Sequence, residues 1–121
     1  MNMNNSYQLG REGESEAADF LVKKNYTILE KNYRYRKAEV DLIVRQNDLL
    51  VAVEIKTRSS AAFGNPATFL KPKQQQRIVQ AIDNYIQQNN LEVEVRFDVI
   101  SILKKGAKLD IEHIENAFYH F

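Results

Sequence analysis

The stretch AEVDLIVRQNDLLVAVEIKTR, Ala38 to Arg58, limits what this chain can fold into more than any other. Two runs rich in Val, Leu and Ile flank Asn47-Asp48. Asn and Asp favour the central positions of a tight turn, so the stretch reads as two strands, 38–46 and 49–57, of one hairpin. A two-residue turn sets Asp41 opposite Glu54 and Glu39 opposite Lys56. Side chains alternate with period 2. Val40, Leu42 and Val44 then share a face with Val51, Val53 and Ile55, and that face must be buried. The other face carries Glu39, Asp41, Ile43, Ala52, Glu54 and Lys56. A four-residue loop centred on the same point keeps this register. A three-residue loop would set the charges against apolar partners, which register selection opposes.

Two carboxylates directly opposite, with Cβ atoms about 5 Å apart, destabilise a sheet unless something compensates. A proton held by one of them would do so. A network with Lys56 and Glu39 would relieve part of the repulsion. A hard divalent cation that prefers oxygen ligands, Mg²⁺ or Mn²⁺, is the third device. The plain alternative is a solvated outer face with a Glu39–Lys56 ion pair. Ile43 and Ala52 continue the same face and weaken it.

The rest of the chain is organised around this hairpin. Residues 10–24 read as a helix with Ala17, Ala18 and Leu21 on its apolar stripe. Glu14 falls on that stripe, either as a first-turn glutamate that complements the helix dipole or as a functional group. Residues 26–35 read as a strand, and 59–69, with Gly64 and Pro66, as a loop long enough to suggest function. Pro72 fits the first turn of a second helix, 72–89, striped by Ile78, Ala81, Ile82, Tyr85 and Ile86. Residues 92–103 read as a strand, and 109–114 as a further one forming a hairpin with it. The order α-β-β-β-α-β predicts one mixed sheet flanked by helices, within a single domain of 121 residues.

Composition excludes several classes. With 44% hydrophobic and 27% charged residues the chain reads as globular. No apolar run reaches the roughly 20 residues that span a membrane, and the first residues have no apolar core of a secretory leader. The absence of cysteine removes disulfides and thiolate metal sites and fits a cytoplasmic location. His113 and His120 both lie near the C-terminus, so a histidine-rich zinc site is not expected. A net charge of +1 is not the footprint of a strongly basic nucleic-acid binder, so the distribution of charge matters more than its sum.

Asp41 followed 13 residues on by Glu54-Ile55-Lys56 resembles the PD-(D/E)xK motif of restriction-endonuclease-like nucleases. The wider pattern GREGE, AEVDLI, VAVEIKTR and FDVI, from about Gly10 to Ile102, is similar to the YraN-like family of small bacterial proteins, relatives of archaeal Holliday-junction resolvases. No proline precedes Asp41, and Ala38 stands where that family often has glycine. The resemblance implies an α/β restriction-endonuclease-like αβββαβ core and a metal-dependent endonuclease acting on double-stranded or branched DNA. It implies that Asp41, Glu54 and the Ile55 carbonyl hold Mg²⁺ or Mn²⁺. Glu14 would reach the site from the first helix, and Lys56 would position water or stabilise developing charge. A lysine beside two carboxylates keeps its proton, which favours an electrostatic role over that of a base. Resolvase-like relatives act as dimers, so a homodimer is also implied. The alternative is a non-catalytic nucleic-acid-binding module on the same fold.

Lys73 and Arg77, four apart on the second helix, and Arg58 after the hairpin are candidate phosphate contacts. The plain reading is a solvated helix end. Arg34, Arg36 and Lys37 form a second basic group, either for phosphate or as a polar loop. Asp98, in an apolar strand, reads as a support for the site or as an ordinary ion-pair partner.

Overall fold

In the computed structural model of the chain, residues 4–59 and 70–118 are described, the first five of them by backbone alone. The 59–69 loop therefore lies, beyond Ser59, outside the described residues, as does His120. The elements are α1 (Asn4–Lys23), β1 (Thr27–Tyr35), β2 (Ala38–Gln46), β3 (Leu49–Arg58), α2 (Pro72–Gln88), β4 (Glu94–Lys105) and β5 (Lys108–Ile114). The strands form one sheet in the order β1-β2-β3-β4-β5. Only β3 and β4 pair in parallel. Parallel neighbours need a crossover, and α2 supplies it. This is the mixed αβββαβ arrangement of a restriction-endonuclease-like core, with β5 added at one edge.

The hairpin register is as the turn chemistry predicts. Leu42 pairs with Val53, Ile43 with Ala52 and Val44 with Val51. Asn47 takes the left-handed φ of 55° at the turn, a conformation Asn tolerates. The period-2 pattern sorts the strands into two cores, one on each face. Leu42, Val44, Val51 and Val53 pack under Ala17, Ala18 and Leu21 of α1. Ile43, Leu50 and Ala52 pack under Ile78, Ala81, Ile82 and Tyr85 of α2. Both faces of the hairpin are thus core faces near the turn. Of the charged residues beyond this core, Glu54 is buried, Asp41 and Lys56 are half-buried and Glu39 is exposed.

Val40 departs from the expected pattern. It joins the α2-side core with Ala38, while Leu42, two residues on, packs under α1. The pairing of β2 with β3 ends at Leu42 and Val53. Beyond that point β2 follows β1 alone and is free to turn relative to β3.

Helix α1 starts at Asn4, six residues before the Gly10 start read from the sequence, so Gly10 and Gly13 are interior. Glu14 is consequently not in the first turn, which holds no acidic residue. Its placement cannot be explained as a complement to the helix dipole.

Candidate active site

Asp41 and Glu54 stand one step beyond the last paired residues of β2 and β3. There the carboxylate takes over from the backbone ladder. Asp41 Oδ2 accepts a hydrogen bond of 2.7 Å from the Ile55 N–H. In an extended strand the N–H and C=O of one residue point to the same edge. The Ile55 carbonyl therefore faces the same opened edge as Asp41, as a metal ligand at that position requires. Ile55 also lines the cavity that lies over the two carboxylates, of about 480 Å³.

Glu54 is buried, and its Oε1 has no hydrogen-bond partner. An unsatisfied buried carboxylate oxygen is costly and calls for a cation or a proton. Burial and the neighbouring Asp41 carboxylate push the Glu54 carboxyl up to about 8, against a smaller opposing effect of the Asp41 backbone. Burial also raises Asp41, to about 6; the Ile55 N–H lowers it, and Glu14 and Glu39 add to the rise. Burial and mutual repulsion therefore both favour a retained proton on this pair. A divalent cation would replace that proton, and two hard carboxylate oxygens with a backbone carbonyl suit Mg²⁺ or Mn²⁺. Among the described residues no three acidic or histidine groups close into a complete metal cage. Mg²⁺ commonly keeps several waters and takes one or two protein carboxylates, so an open donor set fits it.

Glu14, on α1, does not line this cavity and shares only Asp41 with it. It lines a smaller cavity, about 180 Å³, together with Arg11, Ser15, Lys31 and Asp41. Asp41 thus forms a wall between the two cavities, and Glu14 lies close enough to raise its pKa. Gly13 makes this approach possible. A Cβ there would overlap the Thr57 hydroxyl and stand 3.1 Å from Thr57 Cγ2. Only a bare backbone lets this turn of α1 seat on the end of β3.

Of the expected cations, Lys56 and Arg77 line the larger cavity, joined by Lys37, Glu39 and Gln74. Lys56 lowers the pKa of both carboxylates by its charge. Lys73 and Arg58 are not among the residues lining it. Lys73 is exposed on α2, and Arg58 sits at the end of β3 in register with Leu103. Glu39 does not form the expected pair with Lys56. Its carboxylate meets Arg34 on β1 at 3.3 Å, because β2 has left β3 by that point.

A second polar cluster lies on the α1 side of the sheet, around Asp98, whose partners the sequence did not reveal. Asp98 is fully buried, held by a bidentate Arg96 at 2.8 Å and by His113 Nε2 at 2.7 Å. The Asn116 N–H donates to it as well, and Arg96 also reaches the Tyr26 hydroxyl at 2.7 Å. Burial pushes the Asp98 carboxyl up, but these hydrogen bonds outweigh it and hold the pKa below the ordinary value. Asp98 is therefore a saturated ion-pair partner. Its parity with Ile100 and Ile102 already marked it as inward-facing, and Arg96 at i−2 as its same-side neighbour.

Fold and site together define a mixed α/β protein with a restriction-endonuclease-like core and buried carboxylates where its central hairpin opens. The chain belongs to a family described as "Uncharacterised protein family UPF0102", whose model matches residues 13–102. A UPF0102 protein of Christiangramia forsetii is 52% identical over 114 residues, covering 94% of this chain and 96% of its own length. One from Flavobacterium psychrophilum is 48% identical over 113 residues, covering 93% and 95%. A more divergent one, from Thermodesulfovibrio yellowstonii, is 43% identical over 112 residues, covering 93% and 96%. The YraN-like resemblance read from the motifs stands at the level of this family. Among the described residues no helix is long and apolar enough to cross a membrane.

Proposed function

We propose that this protein is a metal-dependent endonuclease that hydrolyses phosphodiester bonds in double-stranded or branched DNA. The observation that carries the proposal is the buried, unpartnered Glu54 Oε1 beside Asp41, at the floor of an open cavity that also holds Lys56. A structural pair would be closed by hydrogen bonds, as Asp98 is. This one has an oxygen without a partner, on a residue that lines the cavity.

Asp41, Glu54 and the Ile55 carbonyl would hold Mg²⁺ or Mn²⁺. A cation bound there would activate water and neutralise charge on the phosphate. Asp41 is fixed for this role by the Ile55 N–H, which orients one oxygen and leaves the other for the site. Lys56, on the cavity wall, would stabilise the extra negative charge that develops on the phosphate oxygens. Arg77 and the first turns of α2 border the same space, and a helix N-terminus attracts an anion. Glu14, across Asp41, adds a third carboxylate on the α1 side. Cutting both strands of a duplex calls for two copies of the site, and hence a homodimer.

The test is cleavage of linear, nicked, flapped and four-way DNA with Mg²⁺ or Mn²⁺. Cleavage should vanish in both Asp41→Ala and Lys56→Ala. If no substrate is cut with either metal, yet salt-dependent binding persists in wild type and both variants, the fold serves as a binding module instead.

A further inference from the structure

Among the described residues, six that are not glycine adopt a positive φ. Five are asparagine, at positions 25, 32, 47, 90 and 116. Asparagine is the residue that tolerates this conformation with least strain. The sixth is Arg36, at φ 57°, in the turn between β1 and β2. An arginine there strains the backbone, and strain of this kind persists where a side chain has work to do.

The guanidinium sits where that work would be. It has no carboxylate partner among the described residues and lies over the Tyr35 ring, 5.2 Å from its centroid. Tyr35 and Arg36 line a cavity of about 170 Å³ whose other wall is α2, through Gln80, Asn84 and Gln87. The catalytic cavity has the same two walls one step away: Lys37 from the turn, and Gln74 and Arg77 from the helix. Arg77, Gln80, Asn84 and Gln87 follow the three- and four-residue spacing of one helix stripe. The two cavities are therefore successive parts of one path between the β1–β2 turn and α2. From Gln74 to Gln87 the path runs about 20 Å along the helix. Its walls carry cations and uncharged amides, with Asp83 the one acid beyond the catalytic end.

We infer that this path binds the phosphate backbone of the nucleic-acid strand that leaves the catalytic cavity, and that Arg36 is its outer phosphate contact. The inference rests on the proposed nuclease reading and extends it. A strand entering at Asp41 and Glu54 meets Lys37 and Arg77 first, then Arg36. Tyr35 and the Arg36 guanidinium together offer a flat face on which a base of that strand stacks. The amides of α2 bond to sugars and phosphates without selecting sequence.

The experiment compares wild type with Arg36→Asn and Arg36→Gly. Both substitutions relieve the strained backbone, so both variants should melt a few degrees higher than wild type, about 2–6 °C. Binding is measured by anisotropy with Ca²⁺ in place of Mg²⁺, on a labelled blunt duplex and on the same duplex with a single-stranded tail. Both variants should bind the tailed DNA about five- to tenfold more weakly, with a salt slope smaller by about 1. A larger loss on the tailed than on the blunt DNA assigns the path to a single strand. An equal loss assigns it to duplex backbone. A gain in stability with a loss of binding cannot come from a purely structural arginine. Unchanged affinity and salt slope in variants of a wild type that binds DNA would overturn this inference alone. A wild type that binds neither DNA at low salt would sink both this inference and the nuclease reading.

Discussion

Asp41 Oδ2 accepts the Ile55 N–H at 2.7 Å, so a side chain does the work of a backbone carbonyl where the two central strands part. The parting exposes the β2-facing edge of β3 beyond Val53, and with it the Ile55 carbonyl. It also leaves Asp41 as a wall between the cavity that holds Glu54 and the one that holds Glu14. Asp41→Asn should keep the fold, because one amide oxygen can still accept from Ile55. Asp41→Ala leaves that buried N–H unpaired and should cost about 1–3 kcal/mol in denaturant unfolding. Equal stability of the two variants would show that the hydrogen bond does not hold the opened edge.

The carboxylate pair gives the metal-free protein a distinctive pH dependence. Glu54 is raised to about 8 and Asp41 to about 6 in the folded state. Their unfolded values are the ordinary ones, near 4. Between those limits the folded state binds more protons than the unfolded one, so stability falls as pH rises. It is fully present below about pH 4 for these two groups and is lost on the way to pH 8. The melting temperature should therefore decline from pH 5 to pH 8.5 in EDTA. Glu54→Gln should flatten much of that decline. A flat profile for wild type would mean that the pair is not strained.

The hairpin register, one of its two core faces and the convergence of Asp41 with Glu54 were legible because period-2 patterning and Asn-Asp turn chemistry act locally. What was not legible depends on where elements end. Sequence spacing set Glu39 opposite Lys56, but the ladder stops at Leu42, and Glu39 turns to Arg34 instead. Gly13 fell within the helix read over 10–24, where an interior glycine costs about 1 kcal/mol and nothing local accounts for it. Its reason is Thr57, 44 positions away in sequence. Arg36 looked like one cation among three; only its φ sets it apart.

Gly13 offers a test with an unusual sign. In a solvent-facing helix interior, glycine to alanine stabilises by about 1 kcal/mol. Gly13→Ala should instead destabilise by about 1–3 kcal/mol, because the new Cβ meets the Thr57 side chain. Thr57→Ala removes the hydroxyl and the methyl, so the double variant should recover most of the loss. Chemical denaturation of the four proteins measures the coupling. Additive effects would show that α1 does not seat on Thr57.

The Asp98 cluster should behave as structure and not as chemistry. Arg96→Met leaves a fully buried carboxylate with one of its two cationic or imidazole partners gone, at a cost of about 3–5 kcal/mol. Its lowered pKa means that Asp98 stabilises the fold above the ordinary aspartate range, and that this is lost as pH falls through the folded value. In variants that remain folded, the Mn²⁺-induced rise in melting temperature should be unchanged. A lost metal response with intact folding would draw this cluster into the site.

Metal binding and chemistry should separate by residue. Saturating Mn²⁺, at about 100 times its dissociation constant, should stabilise the wild-type protein by about 2.7 kcal/mol, a rise on the order of 10 °C. The rise should be larger at pH 8 than at pH 5.5, because protons compete for Asp41 and Glu54 at the lower pH. Glu54→Ala removes a ligand and should abolish it. Lys56→Ala should leave it intact or increase it, since a positive charge beside the cation opposes binding. Cleavage should nonetheless be lost in Lys56→Ala, because the lysine acts on charge that develops only in the transition state. Thermal melts with and without Mn²⁺, run beside a cleavage assay on the same preparations, distinguish the two roles. A Lys56→Ala protein that no longer responds to Mn²⁺ would place the lysine in metal binding, and one that still cuts DNA at the wild-type rate would remove it from the chemistry.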